Sequence, residues 1–227
     1  GLGAVDLEYD LHDQVTALTH RDQATRVTYR YVSDDLGRLV RFQQPGPAGV
    51  DREHRYEHDA AGNLVYSRDP DGRTITLEYD GFDRRVRSET SDGEVTEWVW
   101  DEHSPMNAGR GRLTQVISPT GTERIYYDAQ GRPRRQTVAL TGLGTGALPL
   151  WYAFDANGSP TTVTYPSGAR VTYQYGAHPL LPRRVTLRDP GATVTRDLAT
   201  GITWHPGGWD VREYLAGNLC RCGSYVK

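Results

Sequence analysis

A short signal, an aromatic residue leading into aspartate, returns through this chain and is answered a few residues later by glycine. Tyr9-Asp10, Tyr79-Asp80, Trp100-Asp101, Tyr127-Asp128 and Phe154-Asp155 carry it directly, while Tyr31 leads to Asp34 and Tyr56 to Asp59. Gly37, Gly62, Gly111, Gly131 and Gly158 follow, with Asp13 where a glycine is expected and Asp83 at the corresponding place. Tyr175-Gly176 and Trp204-His205-Pro206 are degraded members. The spacing of roughly 21 to 29 residues lies in the range of repeat architectures, in which one supersecondary unit recurs and buries its apolar face on its neighbours.

The unit is clearest over Tyr56–Asp80. An aromatic closes a strand, a polar turn ends in Gly62, and Asn63–Ser67 makes a short strand. Asp69-Pro70-Asp71-Gly72 is a second turn, and Thr74–Tyr79 a second strand. Proline presets φ for a central turn position and glycine accepts the conformation that a side chain resists. Period-2 alternation puts Ile75, Leu77 and Tyr79 on one face, and Thr74, Thr76 and Glu78 on the other. Midway turns recur at Asp92-Gly93, Thr120-Gly121 and Ser167-Gly168, each followed by an alternating strand. Every repeat is thus a β-hairpin. One hairpin cannot bury a face alone, so neighbours must pair into a continuous sheet.

Composition agrees with that reading. There are 14 Tyr and 5 Trp against 3 Phe and 1 Met, with 25 Gly and 13 Pro. This suits half-exposed strands between tight turns, and the apolar face is expected to be built from Tyr and Trp. Helix content is expected to be very low, with Val211–Leu219 the one candidate. Glu102–Gly111 and Thr141–Pro149 are Gly/Pro-rich, lack alternation and are expected to be loops, as is Gln43–Gly49. No linker divides the chain, so residues 1–227 are expected to form one array with an atypical end segment at 216–227. The chain starts Gly-Leu-Gly and ends on a strand-like Tyr-Val-Lys, so a fragment of a longer protein is expected.

The charges, 26 basic and 29 acidic, look interspersed and nearly balanced, which argues against a dedicated nucleic-acid surface. No apolar run approaches the ~20 residues of a membrane helix. The repeated aspartates Asp10, Asp80, Asp101, Asp128 and Asp155 invite an acid or metal reading, but recurrence at every turn fits side chains that bond backbone amides and start turns. His54 and His58 sit four apart in a strand-and-turn segment, where helical metal-ligand geometry is not available and no further ligands converge in sequence, and no nucleophile elbow is present. No catalytic residue, metal or cofactor is expected. The five tryptophans, Trp98, Trp100, Trp151, Trp204 and Trp209, offer an alternative: with the tyrosines they could stack on sugar rings, although cross-strand packing explains them as well.

The series Tyr-Asp-x-x-Gly-[Asn/Arg], as in Tyr127–Arg132 and His58–Leu64, resembles the YD (Rhs) repeat, and the likeness covers essentially the whole chain. Gly109–Thr114, Asp69–Gly72 and Gly201–Gly208 resemble segments of bacterial Rhs proteins. The resemblance implies an all-β fold of tandem hairpins forming a curved antiparallel sheet, part of a hollow spiral shell. It implies a non-enzymatic wall segment that encapsulates a C-terminal toxin and helps deliver it. Its partners would be the remainder of its own shell, the toxin domain and a secretion-system component, in a secreted or cell-surface setting. The alternative is an extracellular adhesion or glycan-binding surface of teneurin type. The repeat-defining residues are Tyr9, Asp10, Tyr56, Asp59, Gly62, Tyr79, Asp80, Trp100, Asp101, Tyr127, Asp128, Gly131, Phe154, Asp155 and Gly158. Gly217–Cys222 is similar to the second cluster-binding loop of the [2Fe–2S] subunits of the xanthine dehydrogenase family. Such a cluster needs four cysteines and the chain has 2, Cys220 and Cys222, so none is expected.

Overall fold

In the computed structural model, residues 4–21, 25–144, 146–176, 181–205, 208–210 and 213–214 are described. The chain divides into two compact units: residues 1–98 with 117–119, and residues 99–116 with 120–227.

Residues 4–100 form a meander of nine strands: β1 Ala4–Tyr9, β2 Val15–Arg21, β3 Arg26–Ser33, β4 Leu39–Gln44, β5 Arg52–His58, β6 Leu64–Arg68, β7 Thr74–Tyr79, β8 Arg85–Thr90 and β9 Val95–Trp100, the last two residues of which belong to the second unit. Each pairs antiparallel with the next. A short hairpin comes next, β10 His103–Ser104 and β11 Asn107–Ala108, followed by β12 Leu113–Ser118. A second meander then runs through β13 Gly121–Tyr127, β14 Pro133–Leu140, β15 Leu148–Phe154, β16 Pro160–Thr164, β17 Arg170–Tyr175, β18 Pro182–Arg188 and β19 Arg196–Thr200. Short strands follow at Thr203–His205, Gly208–Asp210 and Glu213–Tyr214. The fold is all-β with tandem antiparallel hairpins, and the one helical element among the described residues is a 3-10 turn at Pro47–Gly49. Among the described residues no helix is long and apolar enough to cross a membrane.

Four local expectations give way. The stretch 102–111 is not plain loop, because β10 and β11 pair inside it through His103↔Ala108 and Ser104↔Asn107. Leu148 and Pro149 belong to β15, so the loop before it is shorter than Thr141–Pro149. Gln43 and Gln44 belong to β4, where pairing with Glu53 and Arg52 extends the strand past the expected turn. Of the helical candidate Val211–Leu219, the described residues Glu213 and Tyr214 are strand, held by pairing with Thr200 and Ala199; the remainder lies outside the described residues, as do Cys220 and Cys222.

The covered positions also differ from the expected Tyr/Trp face. Among the described residues, Ala17, Leu77, Val171 and Ile202 are the buried apolar side chains, and Thr19, Asn107, Thr114, Thr137, Ser159 and Thr186 are comparably covered. Ile75, placed by alternation beside Leu77, is 41% exposed whereas Leu77 is 7% exposed. The reason is geometric. In a hairpin meander, cover comes from long side chains leaning over short ones on adjacent strands, so small residues are buried most completely. Two of these hydroxyls are paired: Thr19 Oγ1 shares a hydrogen bond with Thr28 Oγ1 at 3.0 Å, and Thr114 Oγ1 donates to the Val99 carbonyl at 2.9 Å.

Candidate functional site

The recurring aspartates all do the same local work. At Asp34 the side-chain Oδ1 accepts the N–H of Leu36 at 3.0 Å and of Arg38 at 2.9 Å. The Asp34 N–H donates to the Arg38 carbonyl at 2.9 Å, and the Gly37 N–H returns to the Asp34 carbonyl at 2.9 Å. One carboxylate and one peptide thereby close a hairpin turn that has a left-handed residue at its fourth position, the three-residue loop with a bulge. The same bonds recur at Asp10, Asp80, Asp128 and Asp155, with Oδ1 distances of 2.8 to 3.1 Å. Asp59 accepts Asn63 N–H at 2.8 Å, and the midway turn at Asp69 is built alike. Gly37 and Gly131 stand at φ 79° and 77°, and where the glycine is replaced, Asp13 and Asp83 take φ 59° and 58°. A short polar side chain is the substitute that left-handed backbone tolerates best.

Asp101 shows how an insertion is housed. Its N–H donates to the Arg112 carbonyl at 3.0 Å, and its Oδ1 accepts the Gly111 N–H at 2.5 Å. The β10–β11 hairpin therefore bulges out of a turn that still closes.

The strand register shifts by one residue immediately before the turn, at Tyr9, Ser33, His58, Tyr79, Tyr127, Phe154 and Tyr175. Tyr56 does not occupy this place: it lies inside β5 opposite Ser67, and His58 stands at the register shift before Asp59. Tyr31 is likewise mid-strand, opposite Phe42, with Ser33 before the turn. Trp100 ends β9 directly before Asp101.

Turns are linked to their neighbours by two residues, one on each side of the aspartate. The residue after the left-handed position reaches forward. Arg38 Nη1 donates to the Asp59 carbonyl at 2.7 Å, and Asn63 Nδ2 donates to Asp83 Oδ1 at 2.8 Å. In the second unit Arg112 Nε donates to the Gly131 carbonyl at 3.0 Å, and Arg132 Nη1 donates to the Asp155 carbonyl at 3.0 Å. The same guanidinium groups lie over the next repeat's aromatic, Arg112 over Tyr127 at 5.6 Å and Arg132 over Phe154 at 4.9 Å. The aromatic that ends the strand before the turn reaches backward. Tyr79 OH donates to the Leu64 carbonyl at 3.0 Å, Tyr127 OH to Leu113 at 2.8 Å and Tyr175 OH to Pro160 at 2.6 Å. Burial raises the Tyr127 and Tyr175 phenols above their ordinary values, so both stay protonated donors.

Arg38, Arg84 and Arg132 also return to their own turn's aspartate, at 2.7, 2.6 and 2.7 Å. The repeat signal marks the positions of these arginines through its [Asn/Arg] step but does not state what they contact. Their spacing four residues after the aspartate is visible in Asp34/Arg38, Asp80/Arg84 and Asp128/Arg132, but in a strand-and-turn context that spacing does not by itself imply contact.

These bonds hold the turn carboxylates charged. Asp34 and Asp80 lie below the ordinary carboxylate value chiefly through the Arg38 and Arg84 guanidinium groups, Asp59 through the Asn63 amide, and Asp10 through the Gln14 N–H. At Asp128 burial pushes upward but the Arg132 N–H and guanidinium outweigh it. A carboxylate lowered by folding stabilises the native state above its unfolded value near 3.8, and that stability is lost as pH falls through the lowered values. The array is therefore expected to show no loss through these groups between about pH 5 and 8 and to unfold on acidification below about pH 4. Far-UV circular dichroism from neutral pH downward checks this; a transition centred above pH 5 would assign acid sensitivity to other groups.

The arrangement is a scaffold, in which carboxylates and guanidinium groups are spent on closing turns and joining them. Among the described residues no group of three or more His, Cys, Asp or Glu is placed to hold a metal ion.

Residues 58–95 match the RHS Repeat family model. The chain is 26% identical over 188 residues to toxin protein Tse5 of Pseudomonas aeruginosa, covering 66% of this chain and 14% of that protein. It is 32% identical over 134 residues to double-stranded DNA deaminase toxin A of Burkholderia cenocepacia, covering 58% of this chain and 8% of the relative. Human Teneurin-1 is 29% identical over 165 residues, covering 68% of this chain and 6% of its own length. The chain thus spans a small part of each of these relatives. The crystal structure of TcdB2-TccC3 aligns over 91% of this chain and 15% of its own, at 14% identity and a TM-score of 0.45. The family model is seated on the turns at Asp59 and Asp80, so residues 58–95 are an RHS repeat, and the same turn bonds recur from Asp10 to Asp155.

Proposed function

We propose that this array is a wall segment of a larger protein, a non-enzymatic length of hollow shell that encloses a C-terminal toxin and serves its delivery. The observation that carries the reading is the reciprocal turn linkage, in which tyrosine reaches back one repeat and arginine reaches forward one repeat. Such a spine extends a sheet by identical steps and spends its polar groups in doing so, which suits a wall. The similarity to two proteins named as toxins, of which the chain matches 14% and 8%, supports a role as part of something longer. The remaining partners in this reading are the rest of the shell and a secretion-system component, with a secreted or cell-surface destination.

Limited proteolysis of the full-length protein containing this array tests enclosure. The region after the array is expected to resist cleavage in the wild type and to become sensitive when Asn107→Ala and Gly121→Ala loosen the wall. A C-terminal region cut equally fast in both proteins would overturn enclosure.

A further inference from the structure

The charge of the chain is unevenly distributed. Residues 1–98 with 117–119 carry 20 acidic side chains against 12 arginines, a net −8, whereas the second unit carries 14 basic against 9 acidic, a net +5. Interspersed signs along the sequence conceal this division.

In the second unit part of the positive excess gathers on one sheet face. The strand registers place Tyr126 opposite Arg135, Arg135 opposite Trp151, Trp151 opposite Thr164, Thr164 opposite Arg170 and Arg170 opposite Arg188. Directly opposed residues share a face, so these six form one row across β13 to β18. Five strand spacings make the row about 24 Å long. It contains no carboxylate. Arg170 and Arg188, both exposed, oppose each other as like charges, an arrangement that is unfavourable without an anion between them. The first unit shows the contrast: Arg41 and Arg55 also oppose each other, but Glu53 lies 3.9 Å from one and 2.6 Å from the other.

The row has an aromatic component as well. The Arg135 guanidinium stands 4.0 Å from the Tyr126 ring centre and 5.1 Å from that of Trp151, which is 44% exposed. Thr162 and Thr172, both half-buried, add hydroxyl side chains beside the row on the same face, next to the covered Thr186. Asp197, opposite Thr186, is taken up by the Arg184 guanidinium at 2.6 Å.

We propose that this face binds a linear anionic polysaccharide, carboxylated or sulfated, laid across the strands. The backbone donors and acceptors of a sheet interior are spent in the ladder, so recognition on its face must come from side chains. Guanidinium groups fork carboxylate and sulfate oxygens, an exposed indole meets the C–H face of a sugar ring, and threonine supplies short hydroxyls. A purely electrostatic site would have no use for the half-exposed indole. The proposal sharpens the sugar-stacking alternative raised by the tryptophans and is independent of whether the array encloses a toxin.

The test measures binding of the full chain to heparin as the sulfated probe, polygalacturonate as the carboxylated probe, neutral dextran, polyglutamate and oligothymidylate, at low salt and at about 0.3 M NaCl. One or both anionic glycans are expected to bind and dextran to fail; which of the two binds more tightly identifies the anion. Arg170→Glu with Arg188→Glu is expected to weaken that binding by about a hundredfold, since two attractive charges become repulsive. Trp151→Ala is expected to weaken it by about three- to tenfold with charge unchanged. Circular dichroism confirms that each variant remains folded. Failure of both glycans, equal binding of polyglutamate or oligothymidylate, or unchanged glycan affinity in Trp151→Ala would each overturn the proposal.

Discussion

Replacing Asn107 with alanine is expected to lower the stability of the second unit by about 3 kcal/mol, a large effect for a single side-chain truncation. Asn107 is 2% exposed although it belongs to the short β11 strand of an insertion. Its Oδ1 accepts the Tyr127 N–H at 2.8 Å and its Nδ2 donates to the Ile125 carbonyl at 3.3 Å. The amide therefore pairs with two backbone groups of β13 at the point where that strand approaches its turn. Truncation leaves a covered N–H and a covered carbonyl without partners, at about 1–3 kcal/mol for each such group before relaxation. For a protein of this size the melting temperature should fall by about 6–12 °C. Urea unfolding of Asn107→Ala and Asn107→Ser beside the wild type checks it. A loss under about 1 kcal/mol would mean that the insertion is an appendage, and the insertion would no longer count as a clamp on β13.

Gly121→Ala is expected to come next, destabilising by about 2–4 kcal/mol. Gly121 opens β13 opposite Leu140, beside the bond from Thr141 N–H to the Thr120 carbonyl at 3.0 Å. A Cβ there would overlap the Ala139 carbonyl oxygen and lie 3.1 Å from the Leu140 Cα. Both obstacles are backbone, so no side-chain rotation relieves the overlap and the end of the β13–β14 ladder must open. Gly142→Ala is the control. Gly142 stands at φ 81° with nothing within 4 Å of where a Cβ would lie, so only left-handed strain of about 1 kcal/mol is expected. Thermal melts of the two variants side by side separate the causes: equal losses would show that backbone conformation, and not the clash, sets the effect.

These two positions show where reading the sequence stops. The hairpin repeat was legible because its determinants are local. A turn such as Asp128–Arg132 is closed by bonds among five consecutive residues, so Asp-x-x-Gly at regular spacing states its own geometry. The bounds of β7, Thr74–Tyr79, follow from alternation between two such turns. The all-β class, the near absence of helix and the turn role of the aspartates rest on the same short-range bonds. They were available from the order of the residues alone.

What only the tertiary structure decided depends on register between strands. Asn107 lies in a stretch with no alternation, and nothing in its neighbours indicates that β13 is its partner twenty residues away. Gly121 looks like any other turn glycine until Ala139 is placed against it. That Tyr56 lies opposite Ser67 inside β5 is fixed only by the pairing of that strand with β6. The basic row from Arg135 to Arg188 is spread over 54 residues of sequence and becomes one line only when five strands are set side by side. Local hydrogen bonding writes turns into the sequence directly. Which side chains meet across a sheet is a sum over every turn length and bulge between them, and that sum is taken only in the folded chain.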